Sequence, residues 1–462
     1  MVKPLSFLFI IISTRLLGAD NFGKFAFAMA VVTFINIFFE GGINIHTVRQ
    51  LTSNPSEYTD YFPRSFTLKI LGGLFTAFST IIFLLFTHYE STIVYLTLIS
   101  IVFIIFNGLL IHMRSFFRAF EIMKYEAYSI VFEKVTLILL CGTVLFITQN
   151  VVLFTSFYSL SSVITFTYTF LLVLRTIGKP KYKFGFKKWI TDILKPAFPF
   201  AIMNILIIGR SRAGTLLLKF ISKNDEWVGY YNAGYRLLDS FMLFPNMIAT
   251  PLLPVFVRFQ TRKSSIRRLL NGGYHNILAI SAIVAFPIFI LHRTITLLLF
   301  GPTFEKASLA VGIIALNMIP AGLTTIMGNL VAATGRQPLV NKLFIFETIT
   351  TVILHTIFIS LYGYVGATVA SLIGDTIYLS INMWVTRDYV LKSGFLPLIG
   401  KIILVLGFLI SIKLSPIFPE SAIAQLLLIL IFNFVALYVL GIIRHKEISD
   451  FKKMVHSIIY KS

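Results

Sequence analysis

Apolar windows about twenty residues long recur from one end of this chain to the other, and that recurrence leaves few folds open. At about 1.5 Å of rise per residue, such a window spans roughly 30 Å as a helix, the thickness of a bilayer's hydrocarbon core. No water reaches that core, so every backbone amide must find its partner within its own segment, as it does in a helix. The windows fall at 5–17, 22–40, 66–87, 91–113, 127–148, 151–174 and 198–220. A second set falls at 233–257, 277–300, 306–333, 338–361, 364–387, 396–415 and 422–443. The expectation is an all-α polytopic membrane protein of about 14 transmembrane helices. The first window is short, since 5–17 makes only about 20 Å of helix, so either Met1 lies inside a longer first span or that helix sits askew.

Composition agrees: 57% of the 462 residues are hydrophobic and 13% are charged. A formal net charge of +21 would point a soluble protein toward nucleic acid. Here the cations gather between apolar windows, where they hold loops on the cytoplasmic side, so nucleic acid is excluded as a partner. Arg175, Lys179, Lys181, Lys183, Lys187, Lys188 and Lys195 follow window six. Arg258, Arg262, Lys263, Arg267 and Arg268 follow window eight, while Arg114, Arg118 and Lys124 follow window four. The turns after windows three, five and eleven hold no Lys or Arg. Both termini are therefore expected in the cytoplasm, on a multi-pass protein of the cell membrane. The single cysteine, Cys141, allows no internal disulfide, and no cysteine or histidine spacing suggests a metal site.

Two short echoes suggest an internal repeat. Asn21–Ala28, NFGKFAFA, is matched by Trp227–Tyr235, WVGYYNAGY, which aligns Gly23 with Gly229 ahead of windows two and eight. Phe132–Thr136, FEKVT, is matched by Phe346–Thr350, FETIT, in windows five and eleven. Both echoes are offset by six windows, an even number, so the halves would insert with the same orientation. Two six-helix lobes in parallel pseudo-repeat are expected, forming a V around a central cavity. The boundaries are 1–174 for the N-lobe, 175–197 for a basic cytoplasmic linker, 198–387 for the C-lobe and 388–462 for two added helices and a basic tail.

Charges inside the apolar windows are the candidates for function, because each is expensive to insert. Arg210 and Arg212 sit near the middle of window seven. Each costs on the order of 3 kcal/mol there, which marks them as cavity-lining candidates for substrate binding. Two residues apart, they share no face of a regular helix unless it loosens at Gly209, Ser211 or Gly214. Arg15, at the end of the first window, and Arg49, after the second, are further substrate-binding candidates or plain interfacial cations. Guanidinium suits phosphate because it stays charged and offers a planar fork of donors. Glu133 and Glu347 hold equivalent places in the two echoes, as inter-lobe packing anchors or as carboxylates that couple transport to H+ or Na+. Asp375 lacks a sequence-local partner and is the stronger coupling candidate, whereas His355 reads as a hydrogen-bonded packing residue. Arg236 and Asp239, three apart, are expected to form a structural ion pair. No catalytic constellation is present, no cofactor is called for, and the outer loops are too short for a catalytic domain, so an enzyme is not expected.

Several stretches resemble one known family. They are Arg15–Ala28 (RLLGADNFGKFAFA), Val228–Phe256, Leu297–Ala307 (LLLFGPTFEKA), Leu330–Leu343 (LVAATGRQPLVNKL) and Tyr362–Ser371 (YGYVGATVAS). In this order they resemble the polysaccharide-biosynthesis flippases of the multidrug/oligosaccharidyl-lipid/polysaccharide exporter superfamily. The resemblance implies two six-helix lobes that open alternately to either side, with two helices appended. It implies as substrate a lipid-linked oligosaccharide, a polyprenyl diphosphate bearing a sugar repeat unit, turned between leaflets. Membrane lipids and glycan-assembly enzymes are the other partners considered, and a monomer is expected. Members usually have a longer first helix, and many carry an acid before the arginine in span seven, where this chain has Ser211-Arg212 and the additional Arg210. The alternatives are a multidrug or cation exporter of the same superfamily, which would want acids and aromatics in its cavity, and a membrane glycan polymerase or ligase, which would want a large outer loop.

Overall fold

Helix accounts for 90% of the described residues and no strand occurs among them, as the apolar windows require. The computed structural model describes residues 2–40, 42–180, 193–259, 262–390, 395–416 and 418–443. Most of the basic linker and nearly all of the basic tail, at 181–192 and 444–462, lie outside them. Among the described residues, ten helical stretches are long and apolar enough to cross a membrane. The chain divides into two compact units, Met1–Gly229 and Tyr230–Ser462.

The first unit holds α1 (Val2–Glu40), α2 (Ile43–Ser53), α3 (Tyr58–Leu85), α4 (Ser91–Ala119), α5 (Met123–Ile147), α6 (Val151–Thr176) and α7 (Lys195–Ser222). Helices in lipid gain little from burying apolar surface, so close packing and interhelical hydrogen bonds must hold them together. α6 shows how: Thr155, Ser159, Ser162 and Thr169 are buried at roughly helical spacing, and α6 packs closely on α4. Ser159 Oγ donates across that contact to the Ile99 carbonyl at 3.0 Å. At one end of the unit Tyr58, Phe62, Phe116 and Phe117 form an aromatic core, with the Phe62 and Phe116 rings 4.9 Å apart. α7 packs on α1 in this unit.

α8 (Asp225–Phe241) crosses from the first unit into the second. The second unit continues with α9 (Leu243–Ala249), α10 (Leu252–Arg258), α11 (Lys263–Ile290), α12 (His292–Phe300), α13 (Ser308–Ala333) and α14 (Gln337–Val385). α15 (Arg387–Val390), α16 (Phe395–Lys413) and α17 (Ala422–Val439) complete it. α13 is the hub, packed by both α11 and α14. The last two helices lean on α11: Asn433 Nδ2 donates to the Ala282 carbonyl at 3.0 Å and Lys413 Nζ to that of Ile290 at 2.6 Å.

Several window boundaries move. Windows one and two run together in α1, helical except at Gly18, whose φ of 74° lies where glycine is at ease. Windows eleven and twelve form α14, which doubles back at Gly363 (φ 58°). The reversal brings His355 Nε2 within 3.1 Å of Ser371 Oγ and the Phe344 and Tyr378 rings within 4.9 Å. Window eight is broken into α8, α9 and α10, with Pro245 and Pro254 in the first turns of α9 and α10, where a missing amide does least harm. Window nine is divided at Leu291 between α11 and α12. Helices also overrun their apolar windows: Arg114 and Arg118 lie on α4, and Arg267 and Arg268 on α11, rather than in loops.

Candidate functional site

α7 carries Arg210 and Arg212 on an unbroken helix, so the two guanidinium groups leave from different faces. Both are half-buried and both are engaged in interactions. Between them Ser211 is exposed, and its hydroxyl donates back to the Ile208 carbonyl at 2.8 Å. No loosening at Gly209 or Gly214 is needed to accommodate them. Arg15 on α1 and Arg49 on α2 are exposed. Arg49 acts on its neighbour His46, which burial first, and the Arg49 charge second, hold below the ordinary imidazole pKa. His46 Nδ1 lies 2.8 Å from the Tyr61 hydroxyl, which Thr47 Oγ1 also approaches at 3.2 Å.

Glu133 on α5 is held between two cations. Arg114 Nη2 lies 2.8 Å from its Oε2 and Lys134 Nζ 2.5 Å from its Oε1. Arg114 is only 8% exposed and also donates through Nε to Ser129 Oγ at 2.9 Å. Counted by position as a loop cation, Arg114 instead supplies the counter-charge for Glu133, and the cluster retains one positive charge. The signal for this was the helix running on to Ala119, which places Arg114 well inside α4. His112, two residues earlier, is fully buried, with Asn44 Oδ1 at 3.2 Å and Ser65 Oγ at 3.0 Å. Nothing in the spacing of residues 44, 65 and 112 announces that contact.

In the second unit a polar chain threads the arms of α14. Glu347 is fully buried and accepts from Thr351 Oγ1 at 2.7 Å. His355 follows, its Nδ1 2.8 Å from the Thr351 carbonyl and its Nε2 on Ser371 Oγ. Ser371 Oγ lies 3.1 Å from the Tyr231 hydroxyl of α8. Both ring nitrogens of His355 are thus engaged, in keeping with a hydrogen-bonded packing residue. Asp375, four residues beyond Ser371, finds its partner on α13, where the buried Asn317 donates to it through Nδ2.

The expected ion pair between Arg236 and Asp239 is not formed among the described residues. Asp239 is exposed and Arg236 half-buried, and three-residue spacing permits a contact without compelling it. A charge cluster of the first unit combines one pair at helical spacing, Asp20 and Lys24, with partners from other segments. Lys24 Nζ lies 3.1 Å from Asp20 and 3.0 Å from Glu90, and Lys219 Nζ lies 2.6 Å from Asp225. The hydrogen bond from Lys24 holds the exposed Glu90 carboxyl below its usual pKa.

Residues 1–260 match the model of the polysaccharide biosynthesis protein family. The chain belongs to that family. An uncharacterized membrane protein of Methanocaldococcus jannaschii is 22% identical over 390 residues, covering 80% of this chain and 91% of that protein. A probable low-salt glycan biosynthesis flippase of Haloferax volcanii is 22% identical over 216 residues, 45% of this chain and 43% of the flippase. In fold, the family chain is similar to the lipid II flippase MurJ in an inward closed conformation, with a TM-score of 0.73, 15% identity and coverage of 95% and 97%. It is also similar to an inward-facing MATE-family multidrug transporter of the MOP superfamily, with a TM-score of 0.66, 12% identity and coverage of 84% and 94%. The fold is thus one that membrane transporters share.

Proposed function

We propose that the chain turns a polyprenyl-diphosphate-linked oligosaccharide from the cytoplasmic to the outer leaflet of the cell membrane, by alternating access, for surface polysaccharide or glycan biosynthesis. The observation that carries this reading is the pair of half-buried arginines at the middle of α7, in a chain of the polysaccharide biosynthesis family. Cations at that depth are retained where an anion must pass, and a diphosphate offers oxygens in the geometry a guanidinium fork matches. Arg210 and Arg212 bind the diphosphate in this reading, and Arg15 and Arg49 guide it at the membrane surface. The relatives' printed roles support the same substrate class, since one is a probable glycan flippase and one fold neighbour a lipid II flippase.

The lobes in this reading are the repeat units 1–174 and 198–387, joined by 175–197 and followed by 388–462, with both termini in the cytoplasm. Glu347 and Asp375, buried or half-buried in the second unit, serve coupling to H+ or Na+. The same two acids favour a second reading, a cation exporter, which the fold similarity to a MATE transporter also suits. Reconstituted vesicles decide between them. Flipping of a fluorescent lipid-linked sugar, with no uptake of a cationic dye, is expected. Dye transport without flipping would replace the first reading by the second.

A further inference from the structure

A trough of about 540 Å3 runs along α14, lined by Leu343 of its first arm and by residues 372–384 of its second. Its wall is built from two rows at four-residue spacing: Leu372, Thr376, Ser380 and Trp384 in one, and Ile373, Ile377 and Ile381 in the other. Twelve residues of helix are about 18 Å long, so the trough runs for a little over half the thickness of a hydrocarbon core. Its two hydroxyls are already satisfied: Thr376 donates to the Leu372 carbonyl at 2.7 Å and Ser380 to that of Thr376 at 2.8 Å. What remains facing the trough is methyl and methylene surface, which suits hydrocarbon.

The Trp384 end is different in kind. The Arg387 guanidinium sits 5.5 Å from the Trp384 ring. Beside it Asp388 takes a two-pronged contact from Arg336, at 2.7 and 3.0 Å, and Lys263 at 3.3 Å, while Arg267 donates to its carbonyl at 2.9 Å. Lys263 and Arg336 also lie over the Tyr389 ring, at 5.7 and 5.5 Å. Four cations and one carboxylate gather here, with only Arg336 and Lys263 on the carboxylate itself, so the mouth of an apolar trough carries excess positive charge. Trp384 belongs to both parts, as an aromatic ring placed where hydrocarbon meets water often does.

We propose that this trough holds the hydrocarbon chain of the polyprenyl diphosphate, with its phosphates toward Arg387 and Lys263, as a waiting site outside the arginine pair of α7. The proposal rests on the flippase reading and adds to it a separate place for the lipid tail. A single trough lined by branched side chains fits one methyl-branched chain, where a phospholipid would bring two. The surplus of cations fits a diphosphate better than a single phosphate.

The test uses the full chain in vesicles of phosphatidylethanolamine and a polyprenyl diphosphate bearing a benzophenone on its chain, with labelled peptides mapped after illumination. Label is expected in 372–384, displaced by unlabelled polyprenyl diphosphate and unaffected by phosphatidylglycerol. Ser380→Trp, which fills the trough, should abolish that label, while Ser380→Ala should keep it. Arg387→Glu should weaken labelling by the diphosphate and leave that by an uncharged polyprenol probe unchanged. Displacement by phosphatidylglycerol to the same extent would make the trough an ordinary lipid contact and overturn the proposal, as would label confined to other helices. Flipping by the parent protein is measured in the same vesicles. Transport without trough labelling defeats this proposal alone, whereas absence of transport defeats the flippase reading.

Discussion

Gly23 and Gly229 pack back to back where α1 crosses the start of α8. A β-carbon on Gly23 would lie 1.8 Å from the Asp225 carbonyl oxygen and 2.9 Å from the Gly229 nitrogen, and one on Gly229 would lie 2.1 Å from the Ala19 carbonyl oxygen. These are the two glycines that the short sequence echoes align. Both obstacles are backbone, which cannot swing aside as a side chain would. Gly23→Ala and Gly229→Ala are each expected to destabilise the protein by about 1–3 kcal/mol, the usual penalty of overpacking. Thermal unfolding in detergent measures it, and midpoints equal to the parent's would mean the helices do not cross so closely.

Arg114 and Glu133 form a pair largely removed from water, and opening it leaves a charge poorly compensated. Arg114→Ala should destabilise by about 1–3 kcal/mol, less than for an isolated buried pair because Lys134 also holds the carboxylate. In a double-mutant cycle with Glu133→Gln, the two losses should not add. Simple additivity would show that the contact contributes nothing.

Arg210→Ala or Arg212→Ala should lower flipping on the order of tenfold or more, the worth of a charge-assisted hydrogen bond at a desolvated site. Lysine should restore only part of it, since it keeps the charge and loses the fork. Insertion and expression should be unchanged. If both alanine variants flip as fast as the parent at equal expression, the arginines are structural.

Asp388 is held below the usual carboxylate pKa chiefly by its hydrogen bond from Arg336, whose own pKa that bond raises. A carboxyl depressed in the folded state stabilises above its unfolded pKa and loses that contribution as pH falls through its folded value. The parent should therefore lose stability on acidification below about pH 4, and Asp388→Asn should show a smaller loss over that window. The carboxylate is part-exposed, so the difference is small. Equal acid sensitivity in the two proteins would rule out this source.

Glu347→Gln tests coupling against packing. The amide preserves shape and still accepts from Thr351, so the fold should hold, while transport driven by an imposed H+ or Na+ gradient should fall toward the rate without a gradient. Unaltered gradient dependence would leave Glu347 as a packing anchor.

Much of this architecture was legible along the chain because membrane helices are specified locally. A segment of about twenty apolar residues must satisfy its own amides wherever it lies, so the helices, their rough limits and the class of protein could be read without any tertiary contact. The motifs from Arg15 to Ser371 pointed to the family for the same reason, and Arg210 and Arg212 stood out because charge is rare in hydrocarbon. What neutralises a buried charge is another matter. Arg114 reaches Glu133 from a neighbouring helix, and Asn317 reaches Asp375 across fifty-eight positions. Helical periodicity brings together only residues three or four apart, and there it suggested the pair Arg236–Asp239, which does not form. Gly363 could be seen as a glycine between two windows, but only packing shows that the chain reverses there and aligns Glu347, His355 and Ser371. The trough beside them depends on two arms of one helix meeting, and on Asp388 drawing cations from two separate segments to its mouth.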